Sequence, residues 1–453
     1  MTEATSPFDP RRPPEAEMQP NIDDGFTMAA VGDCILSRPM SPLLDTDPAF
    51  ASVVSHLRNA DLAVGNLETT IVDVRSFRSH VRTADDWNLV AEPAVAGDLA
   101  TLGFDLMSRA NNHALDFGVE GLRETGRRVD DVGIVHAGAG EALAHARAPQ
   151  YVQTPAGRIG FVSMYALETW DNDAALDAFG QMPPRPGVNG LRRRRVVTVP
   201  PTLFEEIRAV HRAAYPDYPE PEADGFKMLE TRWVPGEGIS VGYDMDPDDV
   251  SGILRAIRLG KQHSDLLVAA IHCHDEGPDI TTPPAYVVEL AHLAIDSGAD
   301  VFLAHGIHRL LPIEFYRGRP ILYGLGNFFW SDIAEPVQGA LYADNRNKWK
   351  PVFGDLLPTD AELGLIMNAG DFAGERYFES MVAVLEFEAG ISRVRLQPFD
   401  LGYGLPLTRS GLPRKPEPGR AEAILSNLAE MSEPFGTSIT VEDGYGIAGQ
   451  PRS

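Results

Sequence analysis

Cysteine and long apolar runs are both scarce in this sequence. Its 453 residues include only two cysteines, Cys34 and Cys273, and neither has a second cysteine at metal-binding spacing. This excludes a zinc ribbon and a disulfide framework, and it suits a reducing compartment. No stretch reaches the ~18 consecutive apolar residues that a membrane-spanning helix needs. We therefore expect no membrane span and a cytoplasmic location.

Positive charge is also in short supply. The chain has 39 Lys and Arg residues against 65 Asp and Glu residues, a formal net charge of −26. Nucleic-acid binding needs a basic face, so we expect no nucleic-acid partner. An excess of carboxylates suits a protein that holds divalent cations. Residues 1–24 are polar and proline-rich, without a basic segment followed by an apolar one, so we predict a disordered tail and no secretory signal there.

Short apolar runs alternate with helical patterns along most of the chain. The helical patterns cover residues 93–101, 121–132, 247–261 and 285–297. This alternation predicts an α/β fold. The apolar runs, which predict buried strands, are 26–31, 60–64, 104–108, 133–136, 158–163, 266–271, 299–303 and 320–323.

Polar side chains follow these predicted strands at the points where the strands end. Because α/β sheets bind ligands at the carboxyl ends of their strands, we expect these side chains to converge on one sheet edge and form one site. The residues concerned are Asp33, Asn66, Glu68, Asn112, His113, Asp116, His272, His274, His305 and His308.

The densest group of such side chains lies in the predicted strand-to-helix turn at 108–121. Asn111 and Asn112 by themselves are ordinary turn residues, because asparagine tolerates a left-handed backbone. His113 and Asp116 add an imidazole and a carboxylate that a purely structural turn does not need. We therefore interpret this turn as part of a functional site.

Imidazole, carboxylate and amide oxygen together are the ligands of hard-to-borderline divalent metals. A bound metal activates water for hydrolysis and neutralises charge on the substrate, and His113 could then protonate a leaving group or hold an oxyanion. His305 and His308 can point at one centre or at two neighbouring ones. Strand alternation lets His272 and His274 share a face that Cys273 cannot join, so His274 is either a ligand or a substrate contact, and we favour the contact.

Several motifs in combination resemble the CapA family of bacterial poly-γ-glutamate and capsule synthesis proteins, in the calcineurin-like metallophosphoesterase superfamily. The resemblance runs from about residue 26 to residue 400 and implies an α/β fold, a four-layer αββα sandwich with a metal site at the strand ends. The motifs are Gly32-Asp33, Asn66-Leu67-Glu68, Ala110-Asn-Asn-His-Ala-Leu-Asp116, His272, His305-Gly-Ile-His308 and Tyr323-Gly-Leu-Gly-Asn-Phe328.

Carried over position by position, the resemblance implies a divalent metal cofactor of one or two ions, with Mn, Zn and Fe as candidates. The implied metal ligands are Asp33, Glu68, Asn112, His272, His305 and His308. His113 and Asp116 are the predicted catalytic residues. The predicted substrate contacts are Asn66, Asn111, His274, Glu276, Asn189, Arg192 and Asn327.

The chain departs from the family pattern in three places. Ile35 stands where superfamily phosphatases usually carry a histidine, and Gly306-Ile307 replaces the usual His-Pro. Cys273-His274 replaces the usual Trp-Gly.

Domain organisation follows from the breaks in the strand and helix pattern. We predict a domain at 25–400, with insertions at about 165–246 and 331–378 that cover the site, and a C-terminal extension at 401–453 packed on it. The predicted function is a metal-dependent hydrolase acting on a phosphoester or amide of a small acidic or γ-glutamyl-type substrate. The alternatives are a non-catalytic role in assembling a poly-γ-glutamate or capsule polymer, and a binding module.

Overall fold

The structure is a computed structural model that describes residues 18–82, 87–168, 172–217, 223–331, 337, 339–372, 374–388 and 390–450. Most of the predicted 1–24 tail, residues 1–17, therefore lies outside the described residues. Residues 18–24 lie against the domain, where Asn21 N donates a hydrogen bond to Asp265 O at 2.8 Å.

Strands and helices alternate through most of the described chain. The strands are β1 (Thr27–Leu36), β2 (Leu62–Leu67), β3 (Thr70–Ile71), β4 (Val90–Ala91), β5 (Leu106–Ser108), β6 (Val135–Ala137), β7 (Ala139–Gly140), β8 (Gln150–Thr154), β9 (Gly157–Glu168), β10 (Gly187–Val188), β11 (Gly190–Val199), β12 (Phe226–Met228), β13 (Thr231–Pro235), β14 (Ser240–Met245), β15 (Leu266–His272), β16 (Val301–His305), β17 (Leu310–Tyr316), β18 (Arg319–Leu325), β19 (Asn327–Ser331), β20 (Glu379–Phe387), β21 (Ile391–Asp400), β22 (Ser438–Glu442) and β23 (Tyr445–Gly449).

The α-helices are α1 (Pro48–Asn59), α2 (Val95–Leu102), α3 (Gly118–Asp131), α4 (Leu143–Arg147), α5 (Pro201–Ala214), α6 (Pro247–Gln262), α7 (Ala285–Asp296), α8 (Gly339–Asp344), α9 (Arg346–Phe353), α10 (Asp360–Asp371) and α11 (Pro418–Ser432). None of these helices combines the length and the apolar composition that crossing a membrane requires, within the ranges given above.

The predicted elements are confirmed as β1, β2, β5, β6, β9, β15, β16 and β18, with α2, α3, α6 and α7 between them. The α1 helix was not predicted from the apolar pattern. Its start is nevertheless encoded locally, because the Asp47 side chain accepts a hydrogen bond from Phe50 N and proline occupies the first turn.

The first large sheet is built around β1. Its strand order is β22-β23-β21-β20-β1-β2-β5-β6, and β19 also pairs with β1. The β1 strand is parallel to β2 and β19 and antiparallel to β20. Residues Met28 to Val31 are fully buried because both faces of this central strand are covered, which explains their continuous apolar run.

The second large sheet has the strand order β12-β13-β11-β9-β15-β16-β18-β17, with β14 on β11 and β8 on β9. The β9, β15, β16 and β18 strands run parallel to one another. Most of the described part of the predicted insertion at 165–246 lies at this edge, where β11, β13 and β14 extend the sheet.

The two sheets pack face to face with helices outside them. Alternate residues of β1 face opposite ways: Ala30 packs in the core between the sheets, together with Val268 of the second sheet, whereas Ala29 packs with α1 and α2. On the far side, Ala269 packs with residues of α6 and α7. The order of layers is therefore helix, sheet, sheet, helix, which confirms the predicted α/β sandwich.

The layering corrects one expectation about the strand ends. They do not meet at one sheet edge, because β1, β2 and β5 belong to the first sheet and β15 and β16 to the second. Face-to-face packing brings the carboxyl ends of both sheets to the same end of the sandwich.

Gly32 and Gly326 approach each other closely beside Asp33, the first of these strand-end residues. A Cβ atom on Gly32 would lie 1.7 Å from Gly326 O, so only glycine fits there. The Asp33 N–H donates to the same oxygen at 3.1 Å. The approach between β1 and the start of β19 thus sets the backbone of Asp33.

Residues beyond 400 also extend the sandwich. The β23 strand pairs with β21, and α11 packs against β17 and β22. The described part of 331–378 contains α8, α9 and α10. The domain division predicted from the sequence stays a prediction.

Candidate metal centre

Two carboxylates are buried at the carboxyl ends of β1 and β2. Asp33 is 1% exposed and Glu68 is 0% exposed. Burial raises the pKa of Asp33, but a hydrogen bond with His308 and the nearby histidine charges outweigh it, so the pKa falls below its usual value. The shift favours the ionised carboxylate, and burying such a charge requires compensating positive groups.

Three imidazoles surround these carboxylates. His308 Nδ1 lies 3.4 Å from Asp33 Oδ2, and His272 Nε2 lies 3.4 Å from Glu68 Oε1. His274 Nε2 lies 3.8 Å from the same Glu68 oxygen. These residues form two groups that could each hold an ion, Asp33–Glu68–His308 and Glu68–His272–His274. The ligand atoms within each group lie within 4.8 Å of one another.

Buried amides hold the carboxylates and imidazoles in place. Asn66 Nδ2 donates to Asp33 Oδ1 at 2.8 Å, and Asn111 Nδ2 donates to Asn66 Oδ1 at 3.1 Å. Asn327 Oδ1 lies 2.8 Å from His308 Nδ1. The three predicted substrate contacts Asn66, Asn111 and Asn327 thus bind protein groups within the centre.

Asn112 and His305, both predicted ligands, lie in different surroundings. Asn112 Oδ1 is 3.2 Å from His274 Nε2, at the border of the second group. His305 Nε2 is 3.2 Å from the backbone oxygen of Val31, and His305 belongs to neither group of ligand atoms found among the described residues. His305 is nevertheless close enough to Asp33 for each of the two charges to shift the pKa of the other, and its assignment as a ligand stays a prediction.

His113 and Asp116 form a pair beside this centre. His113 Nδ1 lies 2.7 Å from Asp116 Oδ2, which also accepts a hydrogen bond from Leu89 N at 2.7 Å. Burial raises the pKa of Asp116, and the nearby His113 opposes that shift. A carboxylate that accepts from Leu89 is best matched by a donating Nδ1–H, which makes Nε2 the proton-exchanging nitrogen of His113.

The His113 ring is close enough to the centre to affect its electrostatics. The pKa of His274 is lowered, first by the partial burial of its ring and then by the charges of His308 and His113. Burial likewise lowers the pKa of His272 well below its usual value. Both shifts favour the neutral imidazole, which is the form that binds metals.

Comparison with known sequences identifies the family. Residues 27–331 match the family described as bacterial capsule synthesis protein PGA_cap. The chain belongs to this capsule synthesis family. The matched segment runs from β1 to the end of β19 and includes all the carboxylates and imidazoles of the centre.

This chain resembles several known proteins to different extents. It is 41% identical to the uncharacterized protein y4sH of Sinorhizobium fredii, over 94% of each chain. It is 24% identical to the PGA biosynthesis protein CapA of Bacillus subtilis, over 68% of this chain and 63% of that protein. It is 27% identical to the probable polyglutamine synthesis accessory protein Rv0574c of Mycobacterium tuberculosis, over 62% of this chain and 57% of that protein.

Three of the predicted substrate contacts in this member of the capsule synthesis family have partners outside the two groups of possible metal ligands. Arg192 Nε donates to Asp249 Oδ2 at 2.7 Å, and Asn189 Nδ2 donates to Ser163 O at 2.9 Å. Glu276 forms an ion pair with Arg309. Each therefore joins neighbouring elements of the fold.

Arg193, which sequence reasoning did not single out, lies closer to the metal centre than Arg192. It is buried and paired with Asp275, the residue that follows His274. The sequence of β11 could have predicted that Arg193 is buried. Leu191 is apolar, and strand alternation places Arg193 on the same buried face.

Proposed function

We propose that this chain is a metal-dependent hydrolase. The observation that carries the proposal is the cluster of two buried carboxylates with imidazole nitrogens 3.4–3.9 Å from their oxygens. Its nitrogen and oxygen donors fit Mn, Zn or Fe. When bound, such an ion lowers the pKa of a water molecule and neutralises charge on substrate oxygens.

Asp33, Glu68, His272 and His308 would hold one or two ions, with Asn112 at the border of the group. This assignment retains five of the six ligands predicted from the sequence and leaves His305 to a structural role. The buried position of the carboxylates supports it, because ionised carboxylates without nearby cations are costly inside a protein.

His113 would supply or withdraw the proton at the substrate. Asp116 orients the ring through the 2.7 Å contact with Nδ1, and Thr70 Oγ1 donates to His113 O at 2.9 Å. With side chain and backbone both held, the ring is positioned for general acid or base chemistry.

The substrate that we propose is a phosphoester or an amide of a small acidic compound, with a γ-glutamyl compound as the amide candidate. The γ-glutamyl class comes from the family resemblance of the sequence motifs, and the names of two relatives refer to PGA and polyglutamine synthesis. A cytoplasmic location remains part of the proposal.

A second candidate is an accessory role in synthesis of a poly-γ-glutamate or capsule polymer, without hydrolysis. The name of the Mycobacterium tuberculosis relative, an accessory protein, favours it. On this alternative the cluster would stabilise the fold or bind a partner.

The experiment that tests the hydrolase proposal joins metal analysis to a substrate screen. Purified protein is stripped with a chelator, reloaded with Mn²⁺, Zn²⁺ or Fe²⁺, and assayed on p-nitrophenyl phosphate, bis(p-nitrophenyl) phosphate and γ-glutamyl-p-nitroanilide. We expect metal-dependent hydrolysis that Glu68→Gln abolishes and His263→Ala, at an exposed histidine outside the cluster, preserves. Failure to bind any of the metals would overturn the proposal.

Stoichiometric metal without hydrolysis of any substrate would favour the accessory role. That role is then measured as polymer yield in a producing strain whose own family member is deleted. Restored yield by both wild type and Glu68→Gln would establish a function that does not need the metal.

A further inference from the structure

His274 lies on the solvent side of the proposed metal centre. Its side chain is 37% exposed, whereas the side chains of His272 and Glu68 are fully buried. Strand alternation alone leaves two roles open for it, a contact to the substrate or a bond to the metal.

We propose that His274 is a metal ligand, completing a set with Glu68, His272 and Asn112. This rests on the proposed metal centre, and it assigns the second group of donor atoms to an ion that binds through His274 Nε2.

The distances between donor atoms carry the assignment. His274 Nε2 lies 3.0 Å from His272 Nε2 and 3.2 Å from Asn112 Oδ1. The Glu68 Oε1 atom lies 3.4 Å from His272 Nε2 and 3.8 Å from His274 Nε2. Two ligands that each bind one ion at about 2.0–2.2 Å lie roughly 3.0–3.5 Å apart, so these atoms are spaced much like the corners of one coordination sphere.

Hydrogen bonding explains this grouping less well than a cation does. Two neutral imidazole nitrogens 3.0 Å apart share at most one hydrogen. The Glu68 Oε1 atom faces both nitrogens and the Asn112 Oδ1 atom faces that of His274, and neither oxygen can donate a hydrogen bond. A cation among the four atoms would accept one lone pair from each of them.

The opposite face of the same backbone segment is anchored, which keeps His274 turned toward the cluster. The Cys273 Sγ atom lies 2.9 Å from the Tyr286 hydroxyl oxygen, and that hydroxyl donates to Asp275 Oδ2 at 2.5 Å. Arg193 Nη2 donates to Asp275 Oδ1 at 2.6 Å. His274 therefore stands between two anchored residues, which limit how far its backbone can move.

The test is a titration of chelator-stripped protein with Co²⁺, followed by calorimetry and by the visible absorption of the bound ion. A ligand contributes more than the outer partners whose loss typically costs 10–100-fold in affinity, so His274→Ala should weaken binding of one ion by about 100-fold or more. The absorption band of that ion should also change, because a nitrogen donor has been removed.

Two variants control the experiment. His274→Asp keeps a ligating atom and should recover part of the lost affinity, whereas His263→Ala removes an exposed imidazole outside the cluster and should bind Co²⁺ like the wild type. Circular dichroism verifies that the variants fold.

Wild-type affinity and an unchanged Co²⁺ spectrum in His274→Ala would overturn the inference and make His274 a substrate contact. That result leaves the hydrolase proposal intact. Wild-type protein that binds no Co²⁺, Mn²⁺, Zn²⁺ or Fe²⁺ would instead remove the metal centre itself, and both proposals with it.

Discussion

The two histidine pairs at the ends of β15 and β16 look alike in sequence and behave differently in the fold. His272 and His305 are register partners on neighbouring parallel strands, so both face the first sheet. His272 nevertheless contacts Glu68, whereas His305 contacts a backbone oxygen of β1. The second member of each pair, His274 or His308, enters the cluster.

The two histidine pairs differ because different groups of the first sheet lie opposite the ends of β15 and β16, and because the backbone after each strand takes a different path. Beyond His272 the chain alternates once and brings His274 to the same side. Beyond His305 it turns through Gly306 and His308, whose φ angles are 96° and 56°, and this turn brings His308 close to Asp33. Residue spacing alone therefore does not say which histidine of a pair reaches a metal.

The largest expected effect is a loss of turnover in a variant of His113. It tests whether a histidine that lies near the cluster must also be a metal ligand. His113 lies near His274 but is paired with Asp116. We expect His113→Ala to keep the metal and to lower turnover by ~10²–10⁴-fold, because a proton-transfer group is lost. The measurements are metal content and steady-state rates on a confirmed substrate.

Asn112→Ala is the contrasting variant, and it should lose metal as well as rate. Loss of metal from His113→Ala would make His113 a ligand. Unchanged hydrolysis by that variant would remove it from the chemistry.

The comparison between register partners is tested directly by His272→Ala and His305→Ala. We expect the first to weaken metal binding by more than ~100-fold and the second to change it by less than ~10-fold, the lower end of the range for outer partners. Calorimetric titration of stripped protein with Mn²⁺ or Zn²⁺ measures both.

His305 Nδ1 is buried without a hydrogen-bond partner among the described residues. If His305→Ala loses metal as severely as His272→Ala, this nitrogen is a ligand atom and the sequence-based assignment of His305 is restored.

A smaller effect concerns the turn that separates His305 from His308. A Cβ atom on Gly306 would lie 2.8–3.0 Å from backbone atoms of Cys273, at a φ of 96°. We expect Gly306→Ala to lower the free energy of unfolding by at least ~2 kcal/mol, from both backbone strain and crowding. Denaturant unfolding measures the change.

Gly318→Ala is the matched control, because its φ is 75° and nothing lies within 4 Å of an added Cβ atom. It should cost only the left-handed backbone penalty of about 1–2 kcal/mol. Equal costs at both positions would mean that the approach of Gly306 to Cys273 adds no strain.

The smallest effect compares the clustered histidines with His136, which is partly buried elsewhere in the fold. Burial and the charge of Arg109 lower the pKa of His136 to about 3. Unfolding returns it to about 6.5, so between these values the unfolded chain takes up a proton that the native chain does not. The stabilising contribution is present above pH 6.5 and is lost as the pH falls toward 3.

His136→Gln should therefore flatten the decline in unfolding free energy below pH 6.5, by at most ~1.4 kcal/mol per pH unit. Urea unfolding at pH 7, 6 and 5, with the same metal content in both proteins, measures the difference. Parallel declines in wild type and variant would show that His136 does not contribute.

Local patterns were enough to predict much of the fold and many members of the candidate site. Continuous apolar runs mark strands that are covered on both faces, and β1, β15 and β16 were predicted for that reason. Polar residues directly past those runs stand out because a buried strand end tolerates them only with partners, which is how Asp33, Glu68 and His272 were found.

Other features could not be predicted because they depend on contacts between distant residues. The anchoring of Cys273 on Tyr286 and of Asp275 on Arg193 joins β11, the end of β15 and α7, which meet only in the folded chain. Arg192 was predicted to contact substrate, whereas in the structure it pairs with Asp249, which is 57 residues away on α6.

The sequence by itself determined the alternation of strands and helices and the chemical types at the strand ends, because both depend on neighbouring residues along the chain. Only the tertiary structure decided which strand ends share a space. Two sheets packed face to face bring Glu68 opposite His272 and Val31 opposite His305, and no spacing along the chain encodes that pairing. The physical reason is that a ligand set depends on distances across the core between the sheets, and those are set by how the two sheets stack.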